Sequence, residues 1–93
     1  KPLAYEKQKA LKNKIQKIER TMNDINEEYN TLELEHQQLE KEMLLPVNVK
    51  DYKKLKQLTD QNSKIEEKML LLIENLEVLE EEKNMMLQGG KDA

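Results

Sequence analysis

Apolar residues recur along this chain at alternating spacings of four and three, in two series on either side of the interior proline Pro46. A seven-residue repeat of this kind places one narrow apolar stripe on a helix, and a second helix is needed to cover it. The first series is Leu11, Ile15, Ile18, Met22, Ile25, Tyr29, Leu32, His36, Leu39 and Met43, and the second is Leu55, Leu58, Asn62, Ile65, Met69, Leu72, Leu76, Leu79, Lys83 and Met86. The pattern predicts two long helices that pack as a coiled coil.

The residues around Pro46 predict where the two helices end and begin. Proline cannot continue a helix, and it disfavours helical backbone at the preceding residue, Leu45. Asn48 is a favourable N-cap residue for the second helix, and Asp51 follows three residues later in a version of the capping box. The predicted segments are helix one over about 3–44, a turn over about 45–48, helix two over about 49–88 and a frayed tail from 89.

Two helices joined by a short turn normally fold back on each other within one chain. The predicted fold class is therefore all-α, a two-helix antiparallel coiled-coil hairpin that forms a single domain over residues 1–93. A turn centred on Val47 aligns both stripes layer by layer. The predicted layers include Leu39 with Leu55, His36 with Leu58, Leu32 with Asn62 and Leu11 with Lys83. We expect a monomer; an antiparallel dimer of extended chains would keep the same pairings and stays open as the alternative.

The distribution of charge agrees with this hairpin. Basic and acidic side chains number seven and two in residues 1–20, one and seven in 21–45, five and two in 46–64, and two and seven in 65–88. Folding the chain at Val47 thus places basic segments beside acidic ones. The predicted flanking ion pairs are Lys14 with Glu82, Lys12 with Glu80, Glu28 with Lys68 and Glu42 with Lys54.

Composition excludes several classes of protein. With 93 residues, 38% of them charged, and neither Phe nor Trp, the chain cannot build a thick globular core. The lack of cysteine excludes disulfides and thiolate metal sites. The longest apolar run, Met69–Ile73, is far shorter than the roughly 20 residues that span a bilayer. We therefore expect a soluble, cytoplasmic protein without a membrane partner, and from its two ends we expect it to be a piece of a larger one.

No group of residues predicts catalysis. His36 is the only histidine, and a lone histidine in an apolar stripe favours a structural or pH-sensitive packing role over a metal site. Asn62 and Lys83 are polar residues at core positions, which usually fix the register of a coiled coil. We predict that this chain is not itself an enzyme and that it has no catalytic, cofactor-binding or metal-binding residue.

Two basic clusters are candidates for contact with the phosphates of nucleic acid. The base cluster, near the start of helix one, comprises Lys7, Lys9, Lys12, Lys14, Lys17 and Arg20. The tip cluster, near the turn, comprises Lys50, Lys53, Lys54 and Lys56. The net charge of −3 and the scarcity of aromatic residues favour the other interpretation, a solvated surface of ion pairs.

A third candidate is an apolar patch on helix two. Within the run Met69–Ile73 only Met69 and Leu72 belong to the stripe. We therefore predict that the remaining residues are exposed and contact a partner protein, as exposed apolar patches often do. The candidate docking residues are Leu70, Leu71 and Ile73.

Three segments of this chain resemble a known family. They are Leu3–Leu11 (LAYEKQKAL), Asp51–Thr59 (DYKKLKQLT) and Glu74–Glu80 (ENLEVLE). With the Pro-containing turn between the helices, they are similar to the C-terminal coiled-coil domain of the ABC-F (Uup-like) proteins, which are duplicated ATP-binding-cassette ATPases without a membrane domain. The resemblance covers roughly Leu3 to Glu82.

The resemblance implies an appendage of a cytoplasmic ATPase whose relatives act on ribosomes and in some cases bind DNA through this hairpin. ATP and Mg²⁺ would then be bound only by upstream domains, which would also be partners of this one. We therefore expect a non-catalytic hairpin module that contacts DNA, ribosomal RNA or tRNA through its basic residues. The alternatives are a structural or protein-docking coiled coil without nucleic-acid binding, and the helical arm of a tRNA-handling enzyme or prefoldin-like chaperone.

Overall fold

The computed structural model describes the backbone of residues 2–92 and the side chains of residues 4–89. The described chain forms three helices, α1 (Pro2–Leu44), α2 (Pro46–Val49) and α3 (Tyr52–Asp92). The two long helices pack side by side along a rod of 72 × 15 × 14 Å, and the short α2 connects them. The predicted all-α hairpin of two helices is confirmed.

The seam between α1 and α3 is built from the predicted stripes. Every stripe position in both series is shielded from solvent at least in part, and among residues 4–89 only Glu42 and Asn48 are shielded without belonging to the stripe. Full burial is rare, because each core side chain is covered from one side only. The most shielded side chains among residues 4–89 are Ile18, Leu32, Leu58 and Asn62, which are 2–9% exposed.

The connection between the long helices is larger than the sequence predicted. Leu45 has extended backbone angles, φ −64° and ψ 134°, as expected for a residue that precedes proline. Pro46 then opens α2, where its missing N–H leaves no hydrogen bond unmade. The connection therefore spans residues 45–51 and includes one helical turn, whereas the predicted turn ended at residue 48.

The two capping residues have different roles from those predicted. Asn48 does not cap the second long helix; its Nδ2 donates a hydrogen bond to the carbonyl oxygen of Glu42 at 2.7 Å and so closes the end of α1. Asp51 is the residue that caps α3, because its Oδ1 accepts a hydrogen bond from the backbone N–H of Lys54 at 3.2 Å. The second long helix accordingly begins at Tyr52, three residues later than predicted.

The far end of α3 also differs from the prediction. The helix continues through Gly89 as far as Asp92, so the stop at residue 88 is wrong. Glycine weakens a helix by about 1 kcal/mol relative to alanine and commonly ends one by adopting left-handed backbone angles, and no described glycine does so. The segment 89–92 of the predicted frayed tail is thus helical, and Ala93 lies outside the described residues.

Side-chain contacts between the helices fix their alignment. Nδ1 of His36 donates to Oδ1 of Asn62 at 2.5 Å and lies 3.9 Å from Oε1 of Glu66. Nζ of Lys83 lies 3.3 Å from Oε1 of Glu19. The predicted register placed His36 opposite Leu58, so both of its partners lie one or two helical turns further along α3 than expected.

The Lys83 contact is displaced in the same direction, because the predicted register placed this residue opposite Leu11, two turns before Glu19. A shift of the register by one heptad accounts for all three contacts: it puts His36 opposite Ile65 and Lys83 opposite Ile18. The layers predicted from a turn at Val47 are therefore wrong by one heptad. The predicted flanking ion pairs fail with them, since none of the four is formed among the described side chains.

The cause of the error is the repeat itself. A heptad pattern matches apolar layers equally well at registers seven residues apart, so the stripe alone cannot choose between them. The length of the connection between the long helices decides between these registers, and α2 makes that connection longer than predicted.

Double-cysteine variants test this register, because the natural chain has no cysteine. Glu19→Cys with Lys83→Cys places thiols at positions whose native side chains are in contact, so a short bifunctional thiol reagent should link them within one chain. Leu11→Cys with Lys83→Cys, the pair that shares a layer in the register predicted from the sequence, should give a much lower yield. Non-reducing electrophoresis and peptide mass spectrometry measure both yields, and the opposite ranking would restore the predicted register.

Candidate functional site

The tip of the hairpin, residues 44–56, carries uncompensated positive charge. The side chains of the tip cluster, Lys50, Lys53, Lys54 and Lys56, are all exposed, and Asp51 is the only acidic residue in this segment. Within the side chains described for residues 4–89, no carboxylate oxygen lies within 4 Å of these four amino groups. The tip is therefore a convex surface with a local net charge of +3 that is available to an anionic partner.

The same tip exposes apolar side chains, which the sequence analysis did not predict. Leu44 and Tyr52 are each 78% exposed, and Val47 is 72% exposed. The signal in the sequence was the group of apolar residues around Pro46 that falls outside both stripes. The exposed apolar side chains of the tip are Leu44, Leu45, Val47, Val49 and Tyr52.

The base cluster lies at the other end of the rod, so the structure does not bring the ten candidate lysines and arginines together. Arg20, its nearest member, precedes the end of α1 by 24 residues, about 36 Å along the helix axis. All six side chains are exposed, but successive residues of a helix point in different directions, so they surround α1 rather than form one face.

Acidic residues of α3 lie beside only one end of the base cluster. Because the helices are antiparallel, the contact between Glu19 and Lys83 places the preceding residues Glu80, Glu81 and Glu82 beside the part of α1 that follows Glu19, so Arg20 is the member of the cluster nearest to them. Their carboxylates reduce the positive potential at Arg20 but not at Lys7 or Lys9, which lie more than a Debye length away along the rod. The tip cluster is the better candidate for phosphate contact, because its four lysines lie within one short segment, whereas the base cluster is spread around α1.

A polar layer interrupts the apolar seam near the tip. Asn62, 8% exposed, accepts a hydrogen bond from Nδ1 of His36 and donates one to Oε1 of Glu66 at 3.3 Å. The other ring nitrogen of His36, Nε2, lies 2.9 Å from Oε1 of Glu40 on the next turn of α1. No buried polar side-chain atom among the described residues lacks a partner. Asn62 thus links His36 across the seam to Glu66 on its own helix, which agrees with the structural role predicted for His36 and Asn62.

The geometry of this layer does not resemble a metal centre. Glu40 and Glu66 approach opposite nitrogens of the His36 ring, so their oxygens do not converge on one point. In the part of the chain that the structure describes, no group of three or more His, Cys, Asp or Glu side chains could hold a metal ion. The concave regions around the described residues are open grooves along the helices.

The three candidate docking residues are exposed, as predicted. Leu70 and Leu71 are 57% and 59% exposed, and Ile73 is 38% exposed, whereas Met69 and Leu72 lie in the seam. Their contact with a partner stays a prediction. Over the described residues, none of the helices has a stretch both long and apolar enough to span a bilayer.

Comparison with known proteins gives no relative: no protein-family model, curated protein sequence or solved structure matches this chain. The resemblance to the ABC-F family therefore rests on the sequence segments alone.

Leucine substitutions test the role of the polar layer. Asn62→Leu leaves Nδ1 of His36 without its partner, so we expect the free energy of unfolding to fall by about 1–3 kcal/mol. Asn62→Leu combined with His36→Leu should recover or exceed the native stability, because an apolar pair replaces both polar groups. Urea denaturation measures these changes, with Asn75→Leu at an exposed position of α3 as the control.

The double leucine variant should lose register specificity while it gains stability. Built into the Glu19→Cys, Lys83→Cys background, it should lower the yield of the internal cross-link. A double variant that is less stable than Asn62→Leu alone, or that cross-links as the parent does, would contradict the role assigned to this layer.

Proposed function

We propose that this chain is a non-catalytic helical arm that contacts nucleic acid through its tip. The observation that supports the proposal is the combination, on one convex end, of the exposed tip cluster with the exposed ring of Tyr52. Lysine side chains neutralise phosphates without reading sequence, and an exposed aromatic ring offers a stacking platform for an unpaired base.

The dimensions of the tip favour backbones and unpaired bases over the groove of a duplex. The Cα positions of the rod already span 15 × 14 Å in cross-section, whereas the major groove of DNA is about 12 Å wide. A hairpin end of this width does not enter the groove to read base edges. It is instead suited to phosphates at the surface of a folded nucleic acid and to bases that protrude from it.

The arm fits the role that the family resemblance implies. We propose that it belongs to a cytoplasmic ATPase of the ABC-F type, in which the upstream domains bind ATP and Mg²⁺ and this domain engages ribosomal RNA, tRNA or DNA. A rod 72 Å long separates the tip from whatever joins the opposite end, so the arm can contact a nucleic acid distant from the ATPase domains.

Charge reversal tests the tip cluster. Replacing Lys50, Lys53, Lys54 and Lys56 by Glu should abolish most binding to a structured RNA or a DNA duplex at low salt. The slope of log K against log salt should fall by about 0.7–0.9 for each phosphate contact removed. Fluorescence anisotropy over a salt series, with duplex DNA and hairpin RNA as separate ligands, measures both effects. Glutamate near the start of α3 favours the helix dipole, so the fold should tolerate the change.

The matched control reverses four members of the base cluster, Lys7, Lys9, Lys12 and Lys14, and so changes the charge equally at the other end. It should weaken binding much less. No salt-sensitive binding by the natural chain would refute the proposed function, and a larger loss in the control would move the interface to the base of the arm.

Tyr52→Ala tests the stacking platform separately from charge. The variant should bind RNA with unpaired bases more weakly by about 1–3 kcal/mol and leave affinity for a fully paired duplex nearly unchanged. Tyr5→Ala is the matched control, because Tyr5 is 66% exposed at the opposite end of the rod. Equal losses for paired and unpaired ligands would show that Tyr52 does not stack on bases.

A further inference from the structure

The outer face of α3 carries a second apolar stripe that α1 does not cover. Leu71, Val78 and Met85 follow one another at intervals of seven residues. They are 59%, 55% and 72% exposed, while the seam residues Leu72 and Leu79 that follow two of them are partly shielded. Residues seven apart lie almost above one another on a helix, so these three form one line, which we call the outer stripe.

A row of carboxylates runs directly beside the outer stripe. Glu67, Glu74 and Glu81 are all exposed and recur at the same interval of seven. Each of these residues lies four positions before a stripe residue, which is the spacing of neighbours on a helix surface. The face therefore pairs an apolar line with an acidic line over two heptads.

The spacing and the charge together define what can cover this face. Side chains at seven-residue intervals form holes for the knobs of another helix, since only a second helix keeps the same period. The acidic row repels nucleic acid and anionic lipid headgroups, and it attracts Lys and Arg. Two copies of this chain that met through their outer stripes would bring one row of glutamates against another, which disfavours self-association through this face.

We propose that the outer stripe of α3 is a docking site for a basic amphipathic helix of another protein. The apolar side chains of that helix pack between Leu71, Val78 and Met85, and its Lys or Arg residues pair with Glu67, Glu74 and Glu81. This site shares only Leu71 with the docking patch predicted from the sequence: Leu70 lies on the far side of the row of glutamates, about 100° round the helix from Leu71, and Ile73 lies on the side of α3 nearer the seam. The inference does not depend on the function proposed for the tip.

The test uses two synthetic amphipathic helices of about four heptads with the same apolar residues, one flanked by Lys and one by Glu. Fluorescence anisotropy with the full chain should show binding of the basic peptide, weakening with salt, and no binding of the acidic one. Leu71→Ser with Val78→Ser and Met85→Ser should weaken binding by about tenfold or more, through loss of apolar contact. Glu67→Gln with Glu74→Gln and Glu81→Gln should weaken it and reduce its dependence on salt.

Leu34→Ser on α1, 67% exposed in the free chain, is the matched control and should leave binding unchanged. Circular dichroism confirms that the exposed substitutions leave the hairpin helical. Equal binding of both peptides, no binding of the basic peptide, or no loss in the triple serine variant would each overturn the proposal. Sedimentation that shows a dimer dissolved by the triple serine variant would also overturn it, by making a second copy the occupant.

Discussion

A two-helix coiled coil covers each core side chain from one side only, because no third helix closes the flanks of the seam. Among the side chains of residues 4–89, the most shielded are Ile18, Leu32, Leu58 and Asn62, and even these are not completely buried, although the seam runs nearly the whole length of the rod. Apolar burial contributes roughly 25 cal/mol per Å², so stability accumulates as many partial burials along the seam rather than in one centre. Such a structure depends on correct alignment more than on any single contact.

The apolar seam alone does not determine how the two helices are aligned. A shift by one heptad exchanges one set of matched layers for another at little cost in apolar area. The buried Asn62 adds one constraint, since its amide oxygen accepts a hydrogen bond from His36 across the seam, whereas its other partner, Glu66, lies on α3 itself. A register that moved His36 out of reach would leave this buried oxygen without its partner on α1. The polar layer and the length of the connection thus limit the register, and the apolar residues along the seam stabilise it.

The sequence predicted the elements of this fold because two local signals agree. The heptad period identifies which side of each helix is covered, and Pro46 marks where the first helix has to end. It did not predict the register, because Asn48 and Asp51 are both good caps and the pattern cannot say which one begins a helix. In the structure Asn48 turns back to Glu42, and that choice inserts α2 and moves every layer.

The candidate surfaces likewise include features that the sequence predicted and features that it did not. Exposure of Leu70, Leu71 and Ile73 followed from the period, since residues outside a stripe face solvent. The exposure of the apolar residues at the tip could not be predicted in this way, because a turn has no repeating pattern of apolar residues. The separation of the two basic clusters was implicit in the hairpin, but the part of α1 that lies beside Glu80, Glu81 and Glu82 depends on the register.

The two proposed interfaces have opposite charge and lie far apart. Tyr52 at the tip and Val78 in the middle of the outer stripe are 26 residues apart on one helix, about 39 Å. The positive tip attracts polyanions, and the row of glutamates along α3 repels them, so a nucleic acid is directed to the end of the rod and away from its side.

The net charge of −3 therefore argues against nucleic-acid binding only if charge is averaged over the whole chain. In a rod of this length the average has little meaning, since the Debye length at physiological salt is about 8 Å and each surface presents its own potential. A helix seated on the outer stripe would leave the tip free, so the two proposed interfaces do not compete for the same surface.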